Sequence, residues 1–210
     1  MIKAHVGIQA RLNSSRLPRK TAMPFGAHPS LIEHIYNQWK IKFPEYLTVI
    51  LAPENEKNDP FWKSLNQTCE IFFGDDNNLL KRYLSFSKEY KANTIIRATG
   101  DNPFVHKELV SRSLDLFLNS DYEYLSSKSD DGCNVPQGVG VEIFKYETLK
   151  RVALSTDVVE QEHVSEAFST AKNIKCGYLK DPFNAGSIKL LNSSLTIDHL
   201  CQYNLLKGLF

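Results

Sequence analysis

The sequence predicts an α/β fold with a mostly parallel central sheet flanked by helices. Three observations carry this. Short β-rich runs alternate with helix-period segments along most of the chain. The run Thr94 to Ala98 holds an Ile95-Ile96 pair and leads straight into Gly100-Asp101, as a buried parallel strand leads into a ligand-binding turn. With 210 residues, 42% of them hydrophobic, the chain has enough apolar mass for one core and no linker-like tract to divide it. Residues 1–210 are therefore read as a single domain, with a β-rich segment around 122–144.

In order, Val6 to Gln9 ends the first strand. Pro29 to Lys40 places Leu31, Ile32, Ile35, Tyr36 and Trp39 at a helical period. Leu47 to Leu51 is the second strand, and Asp59-Pro60 opens a short helix with proline near its first position. Glu70 to Phe73 is the third strand. Asn77 to Tyr90 is a helix with Leu80, Tyr83, Leu84 and Ser87 along one side, preceded by an acidic turn in which Asp75 or Asp76 is the expected N-cap. Thr94 to Ala98 and Lys107 to Leu118 form the fourth strand and next helix. Tyr122 to Ser126 and Val139 to Phe144 read as strands around a polar, mobile loop at Lys128 to Gln137. Tyr146 to Leu154 and Val158 to Ala171 are helical, Ile174 to Leu179 and Ser187 to Leu191 strand-like, and His199 to Leu206 helical.

Charge is nearly balanced, 25 Lys+Arg against 24 Asp+Glu, so a diffuse basic surface for nucleic acid is not expected. Cys69, Cys133, Cys176 and Cys201 are far apart, which points to buried or partly buried free thiols. No charged n-region precedes an apolar h-region, and no apolar run approaches the ~18 residues that span a bilayer. The expectation is a reduced, cytoplasmic protein with no membrane partner.

The chemistry concentrates at Gln9-Ala-Arg-Leu-Asn-Ser-Ser-Arg-Leu-Pro-Arg-Lys20, directly after the first strand. Arg11, Arg16, Arg19 and Lys20 suit a polyphosphate, the arginines as planar forks and the lysine as a point charge. Ser14, Ser15 and the backbone N–H groups add neutral donors. No Walker pattern is present. Charge alone fits a solvated basic turn equally well.

This loop resembles the signature of the cytidylyltransferases that activate sugars for surface polysaccharides, through Gln9, Ala10, Arg11, Ser14, Arg16, Leu17, Pro18 and Lys20. Four further blocks follow in register: Phe73 to Tyr83, Ile96-Arg-Ala-Thr-Gly-Asp-Asn-Pro103, Glu162-His-Val164 and Leu195-Thr-Ile-Asp-His199. The spore coat polysaccharide biosynthesis branch is the most similar, with CMP-Kdo and CMP-sialate synthetases as more distant relatives. The resemblance implies a Rossmann-like nucleotidyltransferase fold, CTP and a small sugar-type acceptor as substrates, Mg2+ as cofactor, and a homodimer pairing through the 122–144 segment.

It also implies roles. Arg11, Lys20 and Asp101 are the expected catalytic residues, and Asp101 and Asp198 the expected Mg2+ ligands, although each aspartate also fits a helix N-cap. The nucleotide falls to Ala10, Arg11, Ser14, Ser15, Arg16, Lys20, Arg82, Arg97, Thr99 and Gly100. An arginine fork suits O2 and N3 of cytosine, while Arg82 fits a surface ion pair equally well. Arg16 is a candidate for holding the loop through carbonyls. Arg19 and Asn13 stand where relatives usually have glycine. Asn13 is expected to keep a positive-φ turn, and Arg19 either to distort the backbone or to add a phosphate contact. Gln137, Glu142 and His163 are the expected acceptor residues. Gln137 and Gly140 replace two aspartates of the relatives' pattern, so the acceptor side transfers least.

The function expected is CMP transfer from CTP to a sugar or sugar-acid acceptor with release of pyrophosphate, for cell-surface glycans. Two alternatives stand beside it: the same fold with another nucleotide or with a polyol-phosphate or phosphonate acceptor, and a catalytically silent nucleotide-binding protein.

Overall fold

The computed structural model describes residues 4–155, 164–183 and 193–209. Among the described residues seven strands form one sheet in the order β3-β2-β1-β4-β6-β5-β7. They are β1 (Ala4–Gln9), β2 (Leu47–Pro53), β3 (Ile71–Gly74), β4 (Thr94–Thr99), β5 (Tyr124–Ser126), β6 (Glu142–Lys145) and β7 (Cys176–Tyr178). β1 pairs in parallel with both β2 and β4, β2 with β3, and β5 with β7. β6 alone runs against its neighbours, pairing Arg97 with Glu142 across β4 and Ser126 with Glu142 across β5.

Among the described residues seven α-helices cover the sheet: α1 (Leu31–Lys42), α2 (Pro60–Leu65), α3 (Leu79–Tyr90), α4 (Lys107–Leu118), α5 (Tyr146–Ser155), α6 (Val164–Thr170) and α7 (Leu200–Lys207). Strand alternation divides the core into two layers. Val6, Ile8, Ile50, Ile96 and Ile143 face α1, α2, α4 and α7, where Ile35, Trp62, Val110 and Tyr203 pack. Val49, Leu51, Ile95, Tyr124 and Phe144 face α3, α5 and α6. There Phe168 stacks on Tyr124 with centroids 4.8 Å apart and lies as close to Phe144, each such pair worth about 0.5–1.5 kcal/mol beyond area burial.

Local chemistry sets the helix starts. Ser30 caps α1 by accepting from Glu33 N–H, and Asp59 caps α2 with Pro60 in the first turn, as the sequence predicts. The cap of α3 is Asn78, not an aspartate. Asp75 instead accepts from the N–H groups of Asn77 and Asn78 and closes the preceding turn.

Other expectations need correction. β5 and β6 start at Tyr124 and Glu142, two and three residues later than predicted, and β7 is confined to Cys176–Tyr178. The loop at Lys128 to Gln137 is tied down by Gly132 N–H to Ser129 O, Cys133 N–H to Lys128 O and Asn134 N–H to Lys180 O. Cys201 is exposed, whereas Cys69 and Cys133 are buried, with burial pushing both thiols up to about 11. The predicted strand at Ser187 to Leu191, and Val158 to His163 of the predicted helix, lie outside the described residues.

In this sheet order the chain steps from β1 outward to β3, then returns past β1 to β4. The crevice beyond the carboxyl ends of β1 and β4 is the switch point where open α/β sheets bind ligands.

Candidate active site

A pocket of about 280 Å³ opens at that switch point. The loop after β1 supplies Ala10, Arg11, Ser14, Ser15, Arg16 and Lys20; the end of β4 and its turn supply Arg97, Thr99, Gly100 and Asp101; α3 and the turn before it supply Asn77, Leu79 and Arg82. Gly100 is needed for the close approach of the two strand ends. Its N–H donates to Gln9 O at 2.8 Å, and a Cβ there would sit 2.9 Å from Ala10 Cβ and 3.0 Å from Gln9 O.

Glu56, just after β2, holds the basic loop in shape. Its buried carboxylate accepts from Leu12 N–H at 3.0 and 2.9 Å, from Asn13 N–H at 3.2 Å and from the Trp62 indole N–H at 3.1 Å. Thr21 Oγ adds a bond to Arg11 O at 2.8 Å. The left-handed residue of the loop is Arg19, at φ 58°, rather than Asn13. Its guanidinium turns away from the pocket and pairs with Asp59, Nη1 to Oδ2 at 2.9 Å. Arg19 is thus not among the residues that line the pocket.

Lys20 is the centre of the site. Its largely buried ammonium donates to Asp101 Oδ2 at 2.9 Å, Asp198 Oδ1 at 3.0 Å and Ile197 O at 2.6 Å. Two aspartates nearly a hundred residues apart therefore converge on one point, and neither caps a helix; the cap of α7 is His199. Arg16 pairs with Asp198 at 2.8 Å instead of bonding carbonyls. Among the described residues the exposed guanidinium of Arg11 has no partner, so it faces the pocket unneutralised.

Among the described residues no three His, Cys, Asp or Glu side chains converge as a metal site. Asp101 and Asp198 bring their carboxylates to a common point at the Lys20 ammonium. That pair suits Mg2+, which binds through one or two carboxylates plus phosphate oxygens and water.

Arg82 lines the pocket, buried rather than in a surface ion pair. Its Nε and Nη2 donate to Asp75 O at 2.9 and 2.7 Å, and Nη2 to Asp76 O at 3.0 Å, so it braces the turn ahead of α3. Burial lowers its pKa from the ordinary arginine value. Arg97 donates from Nε to Gln9 Oε1 at 2.8 Å and pairs with Glu142. Among the described residues the buried hydroxyl of Thr99 has no hydrogen-bond partner.

On the acceptor side, Glu142 has no exposed surface. Besides Arg97, it accepts from Tyr124 Oη at 2.9 Å and Ser165 Oγ at 2.8 Å, and Lys128 Nζ stands 3.4 Å away. Glu142, expected at the acceptor, is here a buried acceptor of bonds from Tyr124 and Ser165 and the partner of Arg97. Desolvation, then the neighbouring Arg97 charge, push the Lys128 ammonium down to about 8, against attraction from Asp130, Asp131 and Asp101. Gln137 is exposed away from the pocket, its backbone bridged to Ser194, and His163 lies outside the described residues. Glu56, Gln9, Thr21, Asn77 and Lys128 went unmarked as site residues in the sequence. Only Gln9, at the strand end in the opening motif, carried a local signal.

The family model for cytidylyltransferases matches residues 6–174. The chain belongs to the cytidylyltransferase family. An uncharacterized protein of Methanocaldococcus jannaschii is 27% identical over 205 residues, covering 94% of this cytidylyltransferase chain and 79% of that protein. The spore coat polysaccharide biosynthesis protein SpsF of Bacillus subtilis is 28% identical over 166 residues, 75% of this chain and 66% of its own length. A solved cytidylyltransferase from Leptospira borgpetersenii serovar Hardjo-bovis superposes with a TM-score of 0.85 at 27% identity, covering 99% of this chain and 86% of that one. A CMP:2-keto-3-deoxy-manno-octonic acid synthetase solved with CTP has a TM-score of 0.70 at 13% identity, covering 99% and 98%, a likeness of fold alone. No helix among the described residues is long and apolar enough to cross a membrane.

Proposed function

We propose that this nucleotidyltransferase moves CMP from CTP to a sugar or sugar-acid acceptor, releasing pyrophosphate, in the cytoplasmic synthesis of a cell-surface glycan. An acceptor oxygen bonds to the α-phosphorus as the bond from that phosphorus to the α,β-bridging oxygen breaks. The observation that carries the reading is the convergence of Lys20, Asp101 and Asp198 beside the unpaired Arg11, at the switch point of a cytidylyltransferase chain. The glycan setting is supported by the name of the Bacillus subtilis relative.

In this reading Arg11 and Arg16 hold the β- and γ-phosphates, and Lys20 takes up the charge that grows on departing pyrophosphate. Ser14, Ser15 and the loop N–H groups orient the chain of phosphates. Asp101 and Asp198 would hold Mg2+, which when bound neutralises phosphate oxygens and aligns them for displacement. Thr99 and the Arg97–Gln9 pair line the pocket, on the side this reading leaves for the nucleoside. Positioning and electrostatics provide most of the acceleration.

The reading includes a homodimer, which light scattering at micromolar concentration tests. The apolar residues of β5 and β6 are covered within one chain. The transfer itself is tested by pyrophosphate release from CTP over a panel of sugars, sugar acids and sugar phosphates. Lys20→Ala should lose more in turnover than in CTP affinity, because the cation matters most as charge develops. Unchanged turnover would leave the loop a solvated turn.

A further inference from the structure

The Lys20 ammonium has three N–H donors, and the protein itself takes all three. They go to Asp101 Oδ2 at 2.9 Å, Asp198 Oδ1 at 3.0 Å and Ile197 O at 2.6 Å, and the side chain is only 10% exposed. A second cation of the loop is engaged at the same place, since Arg16 Nη2 reaches Asp198 Oδ1 at 2.8 Å. Lys20 is thus held on the carboxylates, the reverse of what phosphate binding needs. It cannot meet a phosphate oxygen without giving up a bond it already has. Its four-carbon stem lets the ammonium swing while the loop keeps its shape, which Glu56 fixes through the N–H groups of Leu12 and Asn13.

Charge points the same way. Among the described residues five cations line the pocket, against the carboxylates of Asp76, Asp101 and the adjoining Asp198. The balance is positive, so the pocket attracts a polyanion and repels a free divalent cation. At the two converging oxygens, two carboxylates face Lys20 and Arg16, which leaves no negative charge over for a further cation. A hard divalent cation also needs the lone pairs that the Lys20 ammonium already holds.

We propose that Lys20 gates the Asp101–Asp198 pair: without nucleotide its ammonium closes the pair to divalent cations, and an arriving triphosphate draws the ammonium away and opens it. This rests on the transfer reading above and adds an order to it, in which nucleotide and metal enter together and free metal does not enter first. Binding of the two is then cooperative, and the coupling is reciprocal, each ligand tightening the other by the same factor.

Mn2+ stands in for Mg2+ in the test, because the unbound ion is counted directly by electron paramagnetic resonance. It is titrated into nucleotide-free wild type, Lys20→Met, Lys20→Met combined with Asp198→Asn, and Arg16→Met, and CTP is titrated separately with a chelator present. Lys20→Met is expected to bind Mn2+ about tenfold or more tighter than wild type and CTP about fivefold weaker. The opposite signs separate gating from a loosened fold, which weakens both. Adding Asp198→Asn should remove the gain, and Arg16→Met, whose guanidinium is exposed, should show a smaller gain in the same direction. Mn2+ affinity that is unchanged or weaker in Lys20→Met, a gain that survives Asp198→Asn, or unchanged CTP affinity overturns the proposal. Should Lys20→Met not fold, unchanged Mn2+ affinity in Arg16→Met overturns it instead. Failure of CTP to bind wild type is read in its own titration and counts against the transfer reading alone.

Discussion

Lys20 donates to Asp101 at 2.9 Å across the mouth of the pocket, and the same ammonium reaches Asp198 at 3.0 Å. One lysine of the opening loop thereby gathers the two carboxylates that the account assigns to Mg2+. Asp101→Asn and Asp198→Asn should each cut pyrophosphate release at least about a hundredfold, since losing a metal anchor costs several kcal/mol of transition-state stabilisation. Folding should survive, because Lys20 keeps Ile197 O and the other aspartate. Near-normal rates in both variants would remove the aspartates from the chemistry.

Glu56 is expected to matter for nucleotide binding although it touches no ligand. Glu56→Ala leaves two loop N–H groups and the Trp62 indole without an acceptor, so it should destabilise by about 3 kcal/mol and weaken CTP about tenfold. Urea unfolding and a CTP titration check this. Full CTP affinity in the variant would show that the loop holds its shape unaided.

Arg19 combines a left-handed backbone with an exposed pair to Asp59. Arg19→Gly relieves the first and loses the second, so stability should move by less than about 1 kcal/mol, with turnover unchanged. Arg19→Ala keeps the backbone strain without the pair and should be less stable than Arg19→Gly. A large activity loss in Arg19→Gly would make the side chain a phosphate ligand after all.

Lys128 predicts a pH signature. Its folded pKa of about 8 lies below the ordinary 10.5, so its charged form is disfavoured in the fold and the wild type gains stability as pH rises between those values. Lys128→Met should therefore be more stable than wild type near neutral pH, with the advantage shrinking toward about pH 9.5. Urea midpoints at the two pH values measure it. A difference independent of pH would mean that the ammonium is not penalised.

The sequence pattern gave the alternation of strands and helices, the opening loop and the two aspartates, because each is written locally in periodicity, charge clusters or short motifs. What it did not give depends on contacts between distant segments. Glu56 is bound to the loop across 44 positions, and nothing near it in sequence marks it. Arg82 was legible as a pocket residue from its motif, but the capture of its Nε and Nη2 by carbonyls a few residues back was not. Glu142 was legible as a site residue but not as a buried one. Its burial follows from the antiparallel β6 being inserted between β4 and β5, a choice of strand order that hydrophobic pattern alone does not fix.

The most direct test of the central claim is the shift in melting temperature with CTP, UTP, GTP and ATP, each with Mg2+. A bound ligand stabilises by RT ln(1 + [L]/Kd), about 2.7 kcal/mol at a hundredfold excess over Kd. The largest shift is expected with CTP, lost in Lys20→Ala combined with Arg11→Ala. Equal shifts for all four nucleotides, or none, would contradict it.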